Sequence, residues 1–251
     1  MRFLIIIILI ISCNLSFASK DNFFFIQLKY NGGNYDPNPG SWPEIYDFII
    51  TTTNIHSAKE RKEITLNNDE IFNYPFLVIT GDSEFNKFSD RDIETLKRFF
   101  DGGGICFIDD TSGIKDFGFD KAIKREFLRV IPNSNFERIK DNHAIFYAFY
   151  LIPQVVGAKV SVPYLEGIEY NNQMAVIYSH NDLLGIWAKD KLGNFLKDCI
   201  PYGEKQRFEG MKLTVNILMY ALTGTYKLDA IHLQYIQRKI EEMRMLKQEK
   251  K

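Results

Sequence analysis

The sequence predicts an α/β protein built on a mainly parallel sheet, and three observations carry that prediction. Phe76-Leu77-Val78-Ile79-Thr80 and Ile105-Cys106-Phe107-Ile108 are short, almost wholly apolar runs, the pattern of strands buried on both faces. A helical stretch from Ser89 to Phe100 lies between them, and strand–helix–strand is the unit from which parallel sheets are made. The chain of 251 residues is 45% hydrophobic and 25% charged, enough to close a core over both faces of such a sheet. A net charge of −1 argues against a nucleic-acid partner, and a single long apolar run excludes a polytopic membrane protein.

That apolar run opens the chain. Residues 1–18 have the plan of an export signal: Arg2, then Phe3 to Ile11 as an apolar stretch too short to span a bilayer, then Ser16-Phe17-Ala18 as a small-residue cleavage site. Ile10-Ile11-Ser12-Cys13 also resembles a lipobox, in which Cys13 is lipidated and becomes the new N-terminus. Either cut gives an exported protein, periplasmic or secreted in the first case and membrane-anchored in the second. Residues 19–251 then form a single α/β domain.

Phe23 to Leu28 reads as a buried strand, broken by Asn31-Gly32-Gly33-Asn34 and Asp36-Pro37-Asn38-Pro39-Gly40. Ser41 is placed to cap a helix with Pro43 early in it, and Trp42, Ile45, Tyr46 and Ile49 make its apolar face. Residues 62–66 alternate as a short strand, and Asn68 to Asn73 make a helical turn. Ser89 and Asp92 have capping-box spacing, Ile93, Leu96 and Phe100 follow at helical intervals, and Gly102-Gly103-Gly104 ends the helix. A helix runs from about Asp120 to Val130, with a turn at Pro132-Asn133. Glu166–Tyr170 and Met174–Tyr178 are strands joined by Asn171-Asn172, a hairpin turn. A helix over 207–222 carries Met211, Val215, Leu218 and Leu222. Asp229 caps a final helix over 229–251, whose outer face is charged.

In an open parallel sheet, ligands bind beyond the carboxyl ends of the strands. Three polar exit loops fall there: Thr80-Gly81-Asp82, Asp109-Asp110-Thr111 and Ser179-His180-Asn181-Asp182. His143 follows Lys140-Asp141-Asn142 in a fourth loop. The expectation is that Asp82, Asp109, Asp110, His143, His180 and Asp182 line one cleft, where carboxylates and imidazoles do acid–base work or bind a polar ligand. The plainer reading is that Asp after a strand forms turns and caps. There is no G-x-S-x-G elbow, no phosphate-binding glycine loop and no H-E-x-x-H, so no metal or cofactor is expected. Cys106 and Cys199 lack metal-type spacing, and a disulfide between them is permitted but not required.

Tyr74-Pro75-Phe76, Thr80-Gly81, Phe88-Ser89, Gly102-Gly103-Gly104 and Asp109-Asp110 resemble the uncharacterised bacterial family called domain of unknown function 4159. The resemblance continues through His143-Ala144-Ile145-Phe146, Ser179-His180-Asn181-Asp182 with Trp187, and Val215 to Gly224. Family members commonly carry Pro after the His, where this chain has Ala144. The resemblance implies a flavodoxin-like, class I glutamine amidotransferase-like three-layer sandwich with a C-terminal helix extension, similar also to the trehalose-utilisation family. Amidotransferases of that fold use a Cys, a His and a Glu, with the Cys at an elbow. Cys106 lies mid-strand, so the triad does not transfer. Relatives fused to or encoded near von Willebrand A-type and AAA-type proteins imply an envelope role, with envelope proteins as partners.

The resulting expectation is an exported envelope protein with a non-catalytic ligand- or protein-binding domain. The alternative is a hydrolase of envelope carbohydrate or peptide, with Asp109 or Asp110 as base or metal ligand and His143 as acid or second ligand. A third reading has the final helix docking a partner through Ile236, Ile240 and Met243. Membrane attachment enters only through lipidation at Cys13.

Overall fold

The computed structural model describes residues 24–53, 55 and 59–223. The expected export signal, Cys13, Gly224 and the expected final helix lie outside the described residues.

Among the described residues, seven strands form one sheet: β1 (Ile26–Leu28), β2 (Lys62–Ile64), β3 (Phe76–Gly81), β4 (Ile105–Asp110), β5 (Glu137–Arg138), β6 (Glu166–Tyr170) and β7 (Gln173–Ser179). Their spatial order is β2-β1-β3-β4-β7-β6-β5. The pairings β1–β2, β1–β3, β3–β4 and β4–β7 are parallel, and β6–β7 and β5–β6 are antiparallel. The result is a mixed α/β fold with a mostly parallel sheet. Four α-helices among the described residues cover it: α1 (Trp42–Thr52), α2 (Asp90–Asp101), α3 (Gly118–Val130) and α4 (Gly203–Thr223).

Alternation along the strands explains the layers, because successive side chains of a strand point to opposite faces. Phe76, Val78, Ile105 and Phe107 join the core under α1 and α4. Leu77, Ile79, Cys106 and Ile108 join the core under α2 and α3. Both faces are therefore apolar and both are covered, as parallel strands require.

The local signals hold with two corrections. Ser89 accepts the Asp92 N–H while the Asp92 carboxylate accepts the Ser89 N–H, closing the capping box of α2. Asn171 and Asn172 both take positive φ, as the two-residue turn between β6 and β7 demands. Ser41, however, does not cap α1. Its own backbone is helical, and its hydroxyl donates to the carbonyls of Asn38 and Leu184, tying the helix start to a distant loop. Asp109 and Asp110, expected in an exit loop, are the last two residues of β4, paired with Thr80 and Gly81 of β3.

From Leu213 to Ala221 the fourth helix is buried nearly all round. Asn216 on its inner face accepts the N–H groups of Phe149 and Tyr150 and donates to the carbonyls of Ile145 and Tyr150, so one side chain satisfies four backbone groups of the irregular 145–150 segment. Cys106 and Cys199 are both buried free thiols. Among the described residues, no helix is long and apolar enough to cross a membrane.

Candidate functional site at the carboxyl edge of the sheet

The carboxyl edge gathers five of the six predicted residues, four of them buried. Asp109 stands beside Ser179 in the β4–β7 register, and the Asp182 N–H donates to the Asp110 carbonyl. Asp109, Asp110, His180 and Asp182 are between 0% and 3% exposed. Asp82, at the end of β3, is exposed and accepts from the Asn34 amide and the Ser83 hydroxyl.

Asp109 and Asp182 have both carboxylate oxygens taken up by their surroundings. Asp109 accepts the N–H groups of Leu183 at 2.8 Å and Leu184 at 2.7 Å, capping the 3-10 turn Leu184–Trp187. Burial and the nearby Asp182 carboxylate push the Asp109 carboxyl up to about 7, against the pull of those two N–H groups. Asp182 takes the left-handed conformation, with φ of 55°. It accepts from the Asn38 amide at 2.8 Å and from the Lys197 ammonium at 2.6 Å. These partners fix a turn and join three chain segments; they are the work of turn formers rather than of a reactive cleft.

Asp110 and His180 belong to a second cluster. One Asp110 oxygen accepts from the Ser112 N–H and hydroxyl, both at 2.7 Å. Its other oxygen and His180 Nδ1, 4.0 Å apart, have no hydrogen-bond partner among the described residues. Burial raises the Asp110 carboxyl above its ordinary value, with the Ser112 hydrogen bond opposing. His180 Nε2 lies 2.8 Å from Glu166, which also accepts from Lys115 at 2.6 Å. Burial by itself would raise the Glu166 carboxyl, but His180 and Lys115 outweigh it and hold it down to about 2. Asp120 Oδ1, 3.9 Å from His180 Nδ1, accepts from the Tyr178 hydroxyl at 3.0 Å, and its other oxygen pairs with Lys124. The imidazole is thus ringed by three carboxylates and stacked on Tyr178 at 4.1 Å.

His143 is not part of this edge, which corrects the expected cleft. Its ring packs 5.2 Å from Tyr220, whose hydroxyl accepts the Met174 N–H. Met174 precedes Ser179 by five residues of β7, so His143 lies toward the amino end of the strand, about 16 Å from the Asp109 level. The physical reason is in the chain path: His143 caps the 3-10 helix Ala144–Tyr147, which packs on α4 near that helix's end. Its Nδ1 accepts the Ile145 N–H, and burial lowers its pKa to about 4, so the ring is neutral near pH 7.

Glu166, Asp120, Tyr178, Lys115 and Lys124 complete the buried cluster, and none was singled out from the sequence. Glu166 reads there as an ordinary strand residue and Asp120 as a helix start. The only sequence signal for their partnership is the hairpin, which sets Glu166 opposite Tyr178 and so diagonal to His180, two residues further on. Among the described residues, no group of three His, Cys, Asp or Glu side chains is arranged to hold a metal ion.

A search of curated proteins finds no match to this chain at a significant level. The model of one protein family does match, over residues 24–222, which takes in every strand and all but the last residue of α4. With the sheet, its covering helices and its sealed carboxyl edge all inside that span, the chain belongs to the family described as domain of unknown function DUF4159.

Proposed function

We propose that this protein is an exported, non-catalytic binding domain of the bacterial envelope, carried on a flavodoxin-like, class I glutamine amidotransferase-like frame. The parallel part of the sheet supports the frame: the order β2-β1-β3-β4-β7 follows the 2-1-3-4-5 order of flavodoxin-like proteins. Residues 1–18, read as an export signal, support the location.

One observation carries the non-catalytic reading. Asp109, Asp110, His180 and Asp182 are sealed from solvent, and of the predicted residues at this edge only Asp82 is exposed, a lone carboxylate that accepts from Asn34 and Ser83. Among the described residues the predicted acids and imidazole thus present no acid–base pair to a substrate at the edge where this architecture places ligands. Cys106 supports it too. The thiol lies mid-strand in the core under α2 and α3, and burial drives it well above the ordinary range, away from the nucleophilic thiolate.

The test is direct. The purified protein is assayed against glycan, ester and amide substrates, and no turnover is expected. Turnover that is lost in Asp110→Asn overturns the reading and favours a hydrolase. Fractionation of cells with mass spectrometry of the new N-terminus tests export: a terminus at Ser19 or a lipidated Cys13 supports it, and an intact Met1 in the cytosolic fraction refutes it.

A further inference from the structure

The opposite side of the antiparallel extension behaves differently from the carboxyl edge. A cavity of about 520 Å³ opens there, between the loop after α3, strand β5, the His143 loop and β6. That volume lies within the roughly 300–1,000 Å³ of small-molecule sites. Its floor is apolar: Ile139, Ala144, Ile168 and Met174 are all buried. Gly167 lets that floor close, because a Cβ there would run into Met174 Sδ and the Val176 carbonyl.

The rim is polar and unspent. Among the described residues, no hydrogen bond or ion pair engages the side chains of Asn133, Asn135, Asn142, Glu137 or Glu169, all exposed and all facing this cavity. The contrast with Asp109 and Asp182, whose oxygens are all occupied, is the point. Polar groups aimed at a concavity and left without internal partners are available to a ligand.

The kind of ligand follows from the chemistry of the rim. Arg138, paired with Asp141, and Lys140 stand against Glu137 and Glu169, so the formal charges of the lining side chains sum to zero and the rim is no strongly charged ion site. Carboxamides offer a donor and an acceptor side by side, and carboxylates accept from hydroxyls, which together match the vicinal hydroxyls of a sugar. The buried Tyr147 and the half-buried, neutral His143 also line the wall, and aromatic side chains there suit the C–H groups of a pyranose.

We propose that this cavity is a binding site for a neutral saccharide of one or two residues, held by the Asn and Glu side chains over the Tyr147–His143 wall. The proposal rests on the binding-domain reading and names its ligand class and its place.

The experiment is calorimetric titration of the purified protein with N,N′-diacetylchitobiose, cellobiose and glucose, with product analysis of each mixture. At least one sugar is expected to bind, and Asn142→Ala and Glu169→Ala, both at exposed positions, should each weaken it by about 10-fold or more. Asn67→Ala, in a separate groove beyond β2, should leave it unchanged. Absence of binding at ~10 mM sugar overturns this site alone and leaves the non-catalytic reading standing. Binding that survives both substitutions places the sugar elsewhere and overturns the site as well. Binding with cleavage that is lost in Asp110→Asn but not in Asn142→Ala overturns both.

Discussion

Replacing Glu166 by Gln removes one negative charge from the ring around His180 while keeping the side chain's shape. The magnitude follows from the pairing. Glu166 has Lys115 at 2.6 Å and His180 at 2.8 Å, and its carboxyl is held from an ordinary 4.5 down to about 2. At about 1.4 kcal/mol for each tenfold change in proton affinity, that difference corresponds to roughly 3 kcal/mol. Lys115 is partly exposed, so screening by solvent trims the expected loss to about 2–3 kcal/mol at pH 7. The sign with pH is fixed by linkage. The folded-state value lies below the unfolded one, so the stabilisation is complete above about pH 5 and disappears as pH falls toward 2. At pH 3 roughly 1 kcal/mol should remain. Urea unfolding of wild type and Glu166→Gln at both pH values measures this. An equal penalty at pH 7 and pH 3 would falsify the ion-pair account and leave a packing effect in its place.

Asp109→Ala should cost about 2–5 kcal/mol, because two buried N–H groups at Leu183 and Leu184 lose their acceptor. Its carboxyl is raised in the folded state, so wild-type stability falls as pH climbs from about 4 to 7, and the penalty measured by urea unfolding should be smaller at pH 8 than at pH 5. Asn216→Ala strips partners from four backbone groups of the 145–150 segment and should cost ~3 kcal/mol or more; hydrogen exchange at Phe149 and Tyr150 should rise sharply, and unchanged protection there would contradict the clamp. Cys106 and Cys199 should react with a thiol reagent only after unfolding, and rapid labelling of Cys106 in the native protein would show that β4 is not sealed.

The parallel core was readable because its signals are local. Apolar runs marked β3 and β4, Ser89 with Asp92 marked the start of α2, and Asn171-Asn172 marked the β6–β7 hairpin. Ser41 shows where local reading stops: the residue has capping chemistry, yet a carbonyl 143 positions away claims its hydroxyl. The site was legible in part for the same reason. Strand ends predict a shared rim, which Asp109, Asp110, His180 and Asp182 occupy. Whether a rim is open depends on what folds over it, and the segments that close this one arrive from Asn38, Lys115, Glu166 and Lys197. His143 could not be placed from spacing because its position is set by packing on Tyr220 and α4, not by the strand it follows.

The sheet ends at either side in a strand of two or three residues. At one side Lys62 and Glu63 precede a single apolar residue, and at the other Glu137 and Arg138 stand exposed. Such short, charged borders offer a neighbouring molecule almost no backbone ladder to extend, and any newcomer must desolvate two charges to reach it. Copies of this protein crowded together would therefore resist stacking strand to strand into aggregates, even though the strands between those borders are among its most hydrophobic segments.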